Sequence, residues 1–162
     1  MDIKRIKIKD LEFVETSMAC PEQYDVFDIT GKLVGYVRLR WGELRCDFPN
    51  VHGSMIYHYS FEHEDGSLKG WFSNDDERME YLTNIADKIN EKIKSTYKLE
   101  VGVKVYKKST DRNLIISHQA ECGLWICIDP NISMNDKRFG VYQVPEEDLY
   151  IGWKNYESDC NK

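Results

Sequence analysis

The chain has 162 residues, 41% of them apolar, 12% aromatic and 31% charged, with a formal net charge of −6. That composition supports a sizeable core and excludes a disordered or collagen-like segment. The excess of acid excludes a bulk electrostatic grip on nucleic acid, so any such contact has to be local.

The opening MDIKRIKIKD is charged and lacks the apolar stretch of a signal peptide. No apolar run approaches the roughly 20 residues of a membrane span. Cys20, Cys46, Cys122, Cys127 and Cys160 are odd in number and form no CxxC, which reads as reduced thiols of a cytoplasmic protein. Residues 3–14 (IKRIKIKDLEFV) alternate at first, Ile6 and Ile8 against Lys7 and Lys9, and predict a short strand, a first helical turn being the alternative. MACPEQ at 18–23 is a loop. Residues 24–28 form a strand, a turn follows around Thr30 and Gly31, and 33–41 and 44–48 form a hairpin with Gly42-Glu43 as its loop. Residues 55–61 (MIYHYSF) are a fourth strand, EHEDGS at 62–67 a turn, and a short strand is possible around Trp71. Ser73, with Asp76 three residues on, opens a helix whose Leu82, Ile85, Ala86, Ile89 and Ile93 make one apolar stripe. From residue 99 the period returns to two, through Val101, Val103 and Val105, and 114–118, 124–128 and 140–144 are three further short strands. The fold class is α+β: residues 1–97 form an antiparallel sheet covered by one long helix, and residues 98–162 a small antiparallel barrel-like part.

With Gly42-Glu43 as the loop, Arg40 faces Arg45 and Arg38 faces Asp47 across the hairpin. Val37, Leu39, Trp41, Leu44, Cys46 and Phe48 then form one apolar face, and Tyr36, Arg38, Arg40, Arg45 and Asp47 the other. Like charges directly opposite are destabilising. They are answered by carboxylates of the same chain or by solvent, by an anionic partner, or by a slipped register, and the sequence leaves all three open. Arginine beside tyrosine suits an anionic partner through bidentate hydrogen bonds and stacking.

The pattern YDVFD…GKLVGYVRLRWGELRCDFP, followed by FSNDDERMEYL, resembles small accessory proteins of phages and mobile elements of low-GC Gram-positive bacteria, over residues 20–95. The resemblance implies a docking factor, with inhibition of a host defence nuclease, in the anti-CRISPR manner, as its sharpest form. The remainder, VGVKVYKKS…LWICIDPN…GVYQVPEEDLYIG, looks like a small Src-homology or Tudor-type barrel.

Catalytic patterns are weak. His52, His58 and His63 lie close in sequence but lack zinc-ligand spacing. His58-Tyr59-Ser60 matches half of a two-histidine phosphoesterase, yet His118 is followed by Gln119 and Ala120. Cys122 with His118 is one of several chance thiol–imidazole pairings. No GxxxxGK[ST], GxGxxG or HExxH is present. Asp75, Asp76, Glu77 and Glu80 are explained by a helix start. In the tail, Tyr150, Trp153 and Tyr156 either anchor a partner or fold back on the barrel, and Trp125 and Tyr142 either line an aromatic groove or enter the core. The expectation is a non-enzymatic binding protein without cofactor or metal. It docks on a host or phage protein, such as a nuclease or ribonucleoprotein, through Tyr36, Arg38, Arg40, Arg45, Tyr150, Trp153 and Tyr156. The alternatives are a nucleic-acid-binding accessory protein using the same arginines and a small histidine-dependent hydrolase or nuclease.

Overall fold

A computed structural model describes residues 3–17, 19–61, 68–132 and 140–154. The chain divides into two compact units, Met1–Thr96 and Tyr97–Lys162. Their described residues hold two antiparallel sheets and one long helix, an α+β architecture.

The first unit is a meander of six strands: β1 (Arg5–Ile8), β2 (Leu11–Glu15), β3 (Glu22–Asp28), β4 (Leu33–Arg40), β5 (Glu43–Phe48) and β6 (Ser54–Ser60). Each strand pairs antiparallel with the next, in chain order. The single strand expected near the start is instead a hairpin, with Ile8 opposite Leu11 and Ile6 opposite Phe13. Its signal is a change of parity: the inward positions are even up to Ile8 and odd from Leu11, as a two-residue turn requires. Asp28 closes the β3–β4 turn by accepting the Thr30 and Lys32 amides, at 2.8 and 3.0 Å, and Gly31 supplies the positive φ of 83°.

One face of this sheet is sealed by α1 (Asp75–Thr96), whose Leu82, Ile85, Ala86, Ile89 and Ile93 are all buried. Gly35 lets the helix approach, since a Cβ there would lie 2.8 Å from Ile89 Cδ1. The helix cap is Asn74 rather than Ser73: Asn74 Oδ1 accepts the Glu77 amide at 2.8 Å, and Glu77 reaches back to the Ser73 amide at 2.7 Å. Asparagine caps as well as serine, and a glutamate three residues on has the reach that Asp76 lacks. No strand forms around Trp71. Residues 69–72 instead lie across the ends of β3 and β4, with the Lys69 carbonyl accepting from Gly42 and the Gly70 carbonyl from Glu22.

The second unit is a sheet of β7 (Lys104–Lys107), β8 (Arg112–Gln119), β9 (Trp125–Ile128), β10 (Val141–Val144) and β11 (Leu149–Ile151), in the order β10-β9-β8-β7-β11. It is not a closed barrel, because β10 and β11 are its two edges. Its core is Val105, Leu114, Ile116, Cys127, Val144 and Leu149. The alternation from Val101 does not start a strand: Gly102, at φ 83°, turns the chain first.

Candidate functional site

The hairpin that carries the arginines bends at Trp41-Gly42, one residue earlier than the sequence reading placed it. Both residues have positive φ, 55° and 79°, the requirement of the two-residue turn that matches strand twist. Glycine in the second position satisfies it, whereas a Gly42-Glu43 loop would force Glu43 into the left-handed region. In the resulting register Arg40 faces Glu43, Arg38 faces Arg45 and Tyr36 faces Asp47. The like-charged pair is therefore Arg38–Arg45, not Arg40–Arg45. Val37, Leu39, Leu44, Cys46 and Phe48 are buried as expected, but Trp41 leaves the apolar face and is 62% exposed at the turn.

On the face turned away from α1, one cross-strand row runs Gln23, Arg38, Arg45, His58 and another runs Arg40, Glu43, Ser60. Tyr36 donates to Gln23 Oε1 at 2.7 Å, and burial pushes its phenol pKa up. Arg45 forks onto Asp47 with Nη2 at 2.7 and 2.8 Å from the two oxygens, and the Asp47 side chain is 2% exposed. That ion pair answers the charge of Arg45, so Asp47 does not offset Arg38. Among the described residues no carboxylate lies within ion-pairing distance of Arg38 or Arg40. The Arg40 guanidinium instead stacks 3.8 Å from the Trp41 ring centre. Arg38, Arg40, Trp41, Glu43, Arg45, Met55 and His58 line a shallow bowl of about 290 Å³.

Chemistry in the bowl is limited by the order of its polar groups. Glu43 sits in the middle, accepting from Ser60 Oγ at 2.8–2.9 Å and from His58 Nε2. The Ser60 hydroxyl, and after it the His58 ring, hold the Glu43 carboxyl below its ordinary range. A hydrolytic triad needs the imidazole between nucleophile and carboxylate, so Ser60 is not activated by His58. His52 lies in the β5–β6 loop, its amide donating to Asn50, and His63 is outside the described residues. Among the described residues no three metal-ligating side chains converge.

The tail aromatics do not join this face. Tyr150 is buried in β11 opposite Tyr106, which withdraws it from any docking surface. Trp153 is half-buried and donates Nε1 to the Leu114 carbonyl at 3.0 Å, with Lys104 over its ring. Tyr156 lies outside the described residues. Trp125 and Tyr142 pack against the second core, half-buried. Cys20, Cys46, Cys122 and Cys127 are free thiols, and burial pushes Cys46 up to about 12 and Cys127 to about 11, which leaves both unreactive. His118 meets Ser117 rather than Cys122.

The sequence reading missed Trp41, Glu43, Met55 and His58 as members of the site. The dipeptide Trp41-Gly42 carries the missing signal: Xaa-Gly between alternating strands marks the turn. Comparison with protein-family models, with curated proteins and with solved structures finds no match. Among the described residues no helix is long and apolar enough to cross a membrane.

Proposed function

We propose that the chain is a non-enzymatic binding protein that docks on a macromolecular partner through the arginine-bearing face of its first sheet. The observation that carries this reading is the pair Arg38 and Arg40. They stand on a sheet whose other face is sealed by α1, and no carboxylate among the described residues pairs with either. Guanidinium groups that no carboxylate of the described residues neutralises are the natural ligands of a partner's carboxylates or phosphates. A rigid sheet holds them in place, so little order has to be gained on binding. The mobile-element resemblance of residues 20–95 supplies the class of partner, a host defence nuclease or ribonucleoprotein, and the mode of action, steric occlusion. Free thiols support a reducing, cytoplasmic setting. The second unit reads as an open small-barrel module, a β7–β10 meander with β11 returning beside β7, which adds bulk to the occluding body.

The test is recovery of partners from a Gram-positive lysate by the wild-type chain and by Arg38→Glu/Arg40→Glu. A partner recovered at least tenfold less by the variant is the expected result. Equal recovery of every partner by both removes the face from the reading.

A further inference from the structure

Beside the bowl, three of the most exposed apolar side chains of the first unit gather at one end of the sheet. Trp41 is 62% exposed, Leu68 69% and Trp71 61%. A backbone hydrogen bond of 2.6 Å from Gly42 to the Lys69 carbonyl ties the turn to the segment that carries Leu68 and Trp71. That segment is fixed in turn. The Phe72 amide donates to the buried Glu22 at 3.0 Å, and Lys69 bonds Glu77 and lies 4.3 Å from the Phe61 ring centre. The patch is therefore held in place before any partner arrives.

Trp41 violates two local rules at once. A bulky residue in the left-handed region is strained, and the side chain stays largely exposed. Arg40 covers one side of the ring, and the residue nonetheless remains largely exposed. Tryptophan and arginine together are the usual centre of a protein interface.

We infer that the occupant of this face is a polypeptide segment that places an acidic side chain in the bowl on Arg38 and Arg40 and an apolar side chain against Trp41, Leu68 and Trp71. This rests on the docking reading above and adds the chemistry of the ligand. Single-stranded nucleic acid fits less well for a geometric reason. A backbone charged at every nucleotide that crosses from β4 to β5 runs onto Glu43, which lines the bowl beside the arginines. A discrete carboxylate can take the Arg38 side of the bowl, one cross-strand row away from Glu43, within reach of Arg40. Leu68 also offers no ring for base stacking.

The probes are labelled synthetic peptides of about twelve residues, combining Asp/Glu with Leu/Phe. Controls carry Lys in place of the acids or Ser in place of the apolar residues, and a single-stranded oligothymidylate is run beside them. Binding to the full chain is read by fluorescence anisotropy. The acidic–apolar peptides are expected to bind at least tenfold more tightly than either control set, and to lose tenfold with Arg38→Glu/Arg40→Glu and with Trp41→Asn/Trp71→Ala. If the acidic–Ser peptides bind equally well and only the arginine variant weakens them, the apolar half of the inference is overturned while the docking reading stands. Tighter, arginine-dependent binding of oligothymidylate overturns the polypeptide in favour of nucleic acid. If no acidic probe distinguishes wild type from Arg38→Glu/Arg40→Glu, both the inference and the anionic-partner reading fall.

Discussion

Replacing Trp41 with asparagine is expected to stabilise the protein and weaken docking. Trp41 is at φ 55° in the first position of its turn, followed by Gly42 at 79°. Asparagine tolerates that backbone and Asn-Gly is the favoured pair for the turn, so most of a strain of about 1–2 kcal/mol is relieved. Against this stands the lost stack of Arg40 on the ring, about 0.5–1 kcal/mol at an exposed site. The net gain is about 0.5 kcal/mol, which for a unit of this size is about 2–4 °C in the unfolding midpoint. Thermal unfolding of the full chain, followed through the far-ultraviolet helix signal, reports on the first unit because α1 lies there. Trp41→Ala serves as the opposite control: it keeps most of the backbone strain, loses the stack, and should lower the midpoint. A midpoint lowered by Asn as much as by Ala would mean that the ring is held for structure, and the functional meaning of the left-handed tryptophan would be lost.

Arg45→Ala should cost about 2–3 kcal/mol, because it leaves the buried Asp47 carboxylate without its ion pair, whereas Arg38→Ala should stay within about 0.5 kcal/mol and Arg40→Ala, which loses only the stack on Trp41, within about 1 kcal/mol in urea unfolding. Gly35→Ala should cost about 1–3 kcal/mol through the clash with Ile89, and adding Ile89→Val should recover part of it in a double-mutant cycle. Burial opposes the charge of Glu22, but hydrogen bonds from Arg78, Tyr24 and the Phe72 amide outweigh it and hold the carboxyl below its ordinary range. Its contribution is thus full at neutral pH and lost as pH falls from about 4.3 through the lower folded value. Glu22→Gln should flatten that acid limb and cost about 3 kcal/mol at pH 7, checked by urea unfolding across pH.

The long elements were legible because their periodicity is strong. The stripe from Leu82 to Ile93 and the alternation through β3, β4 and β5 each bury the residues that the pattern marks. What was misread lies at turns, where one residue decides parity. Treating Trp41 as the last strand residue left the inward and outward sets of β4 and β5 unchanged, since shifting the bend by one residue moves the register by two. The faces were therefore right while every cross-strand partner of the arginines was wrong. Glu22 was invisible for a different reason. A glutamate at an inward strand position has no local signal, and its counter-charge, Arg78, is 56 residues away. β11 escaped because three residues after a proline and three acids carry too little pattern to read as a strand.

The unpaired arginines gain meaning from how the same unit treats its other charges. Glu22 is matched by Arg78 and two further donors, Asp28 by the amides of its own turn, and Asp47 by the fork of Arg45. Among the described residues of this unit no buried side-chain polar atom lacks a partner. Internal compensation is therefore available to this chain, even across 56 residues of sequence, and is used where burial makes it necessary. At the β4–β5 hairpin Arg45 receives it from Asp47, whereas no carboxylate among the described residues gives it to Arg38 or Arg40. Glu43 lies opposite Arg40 in register and still turns to His58 and Ser60, so this cross-strand carboxylate bonds its other neighbours rather than the guanidinium. Two guanidinium groups with no carboxylate partner among the described residues, an exposed tryptophan in the left-handed region and a bowl between them thus coincide at one hairpin. Departures that cluster in this way are what the docking reading proposed above requires of this hairpin.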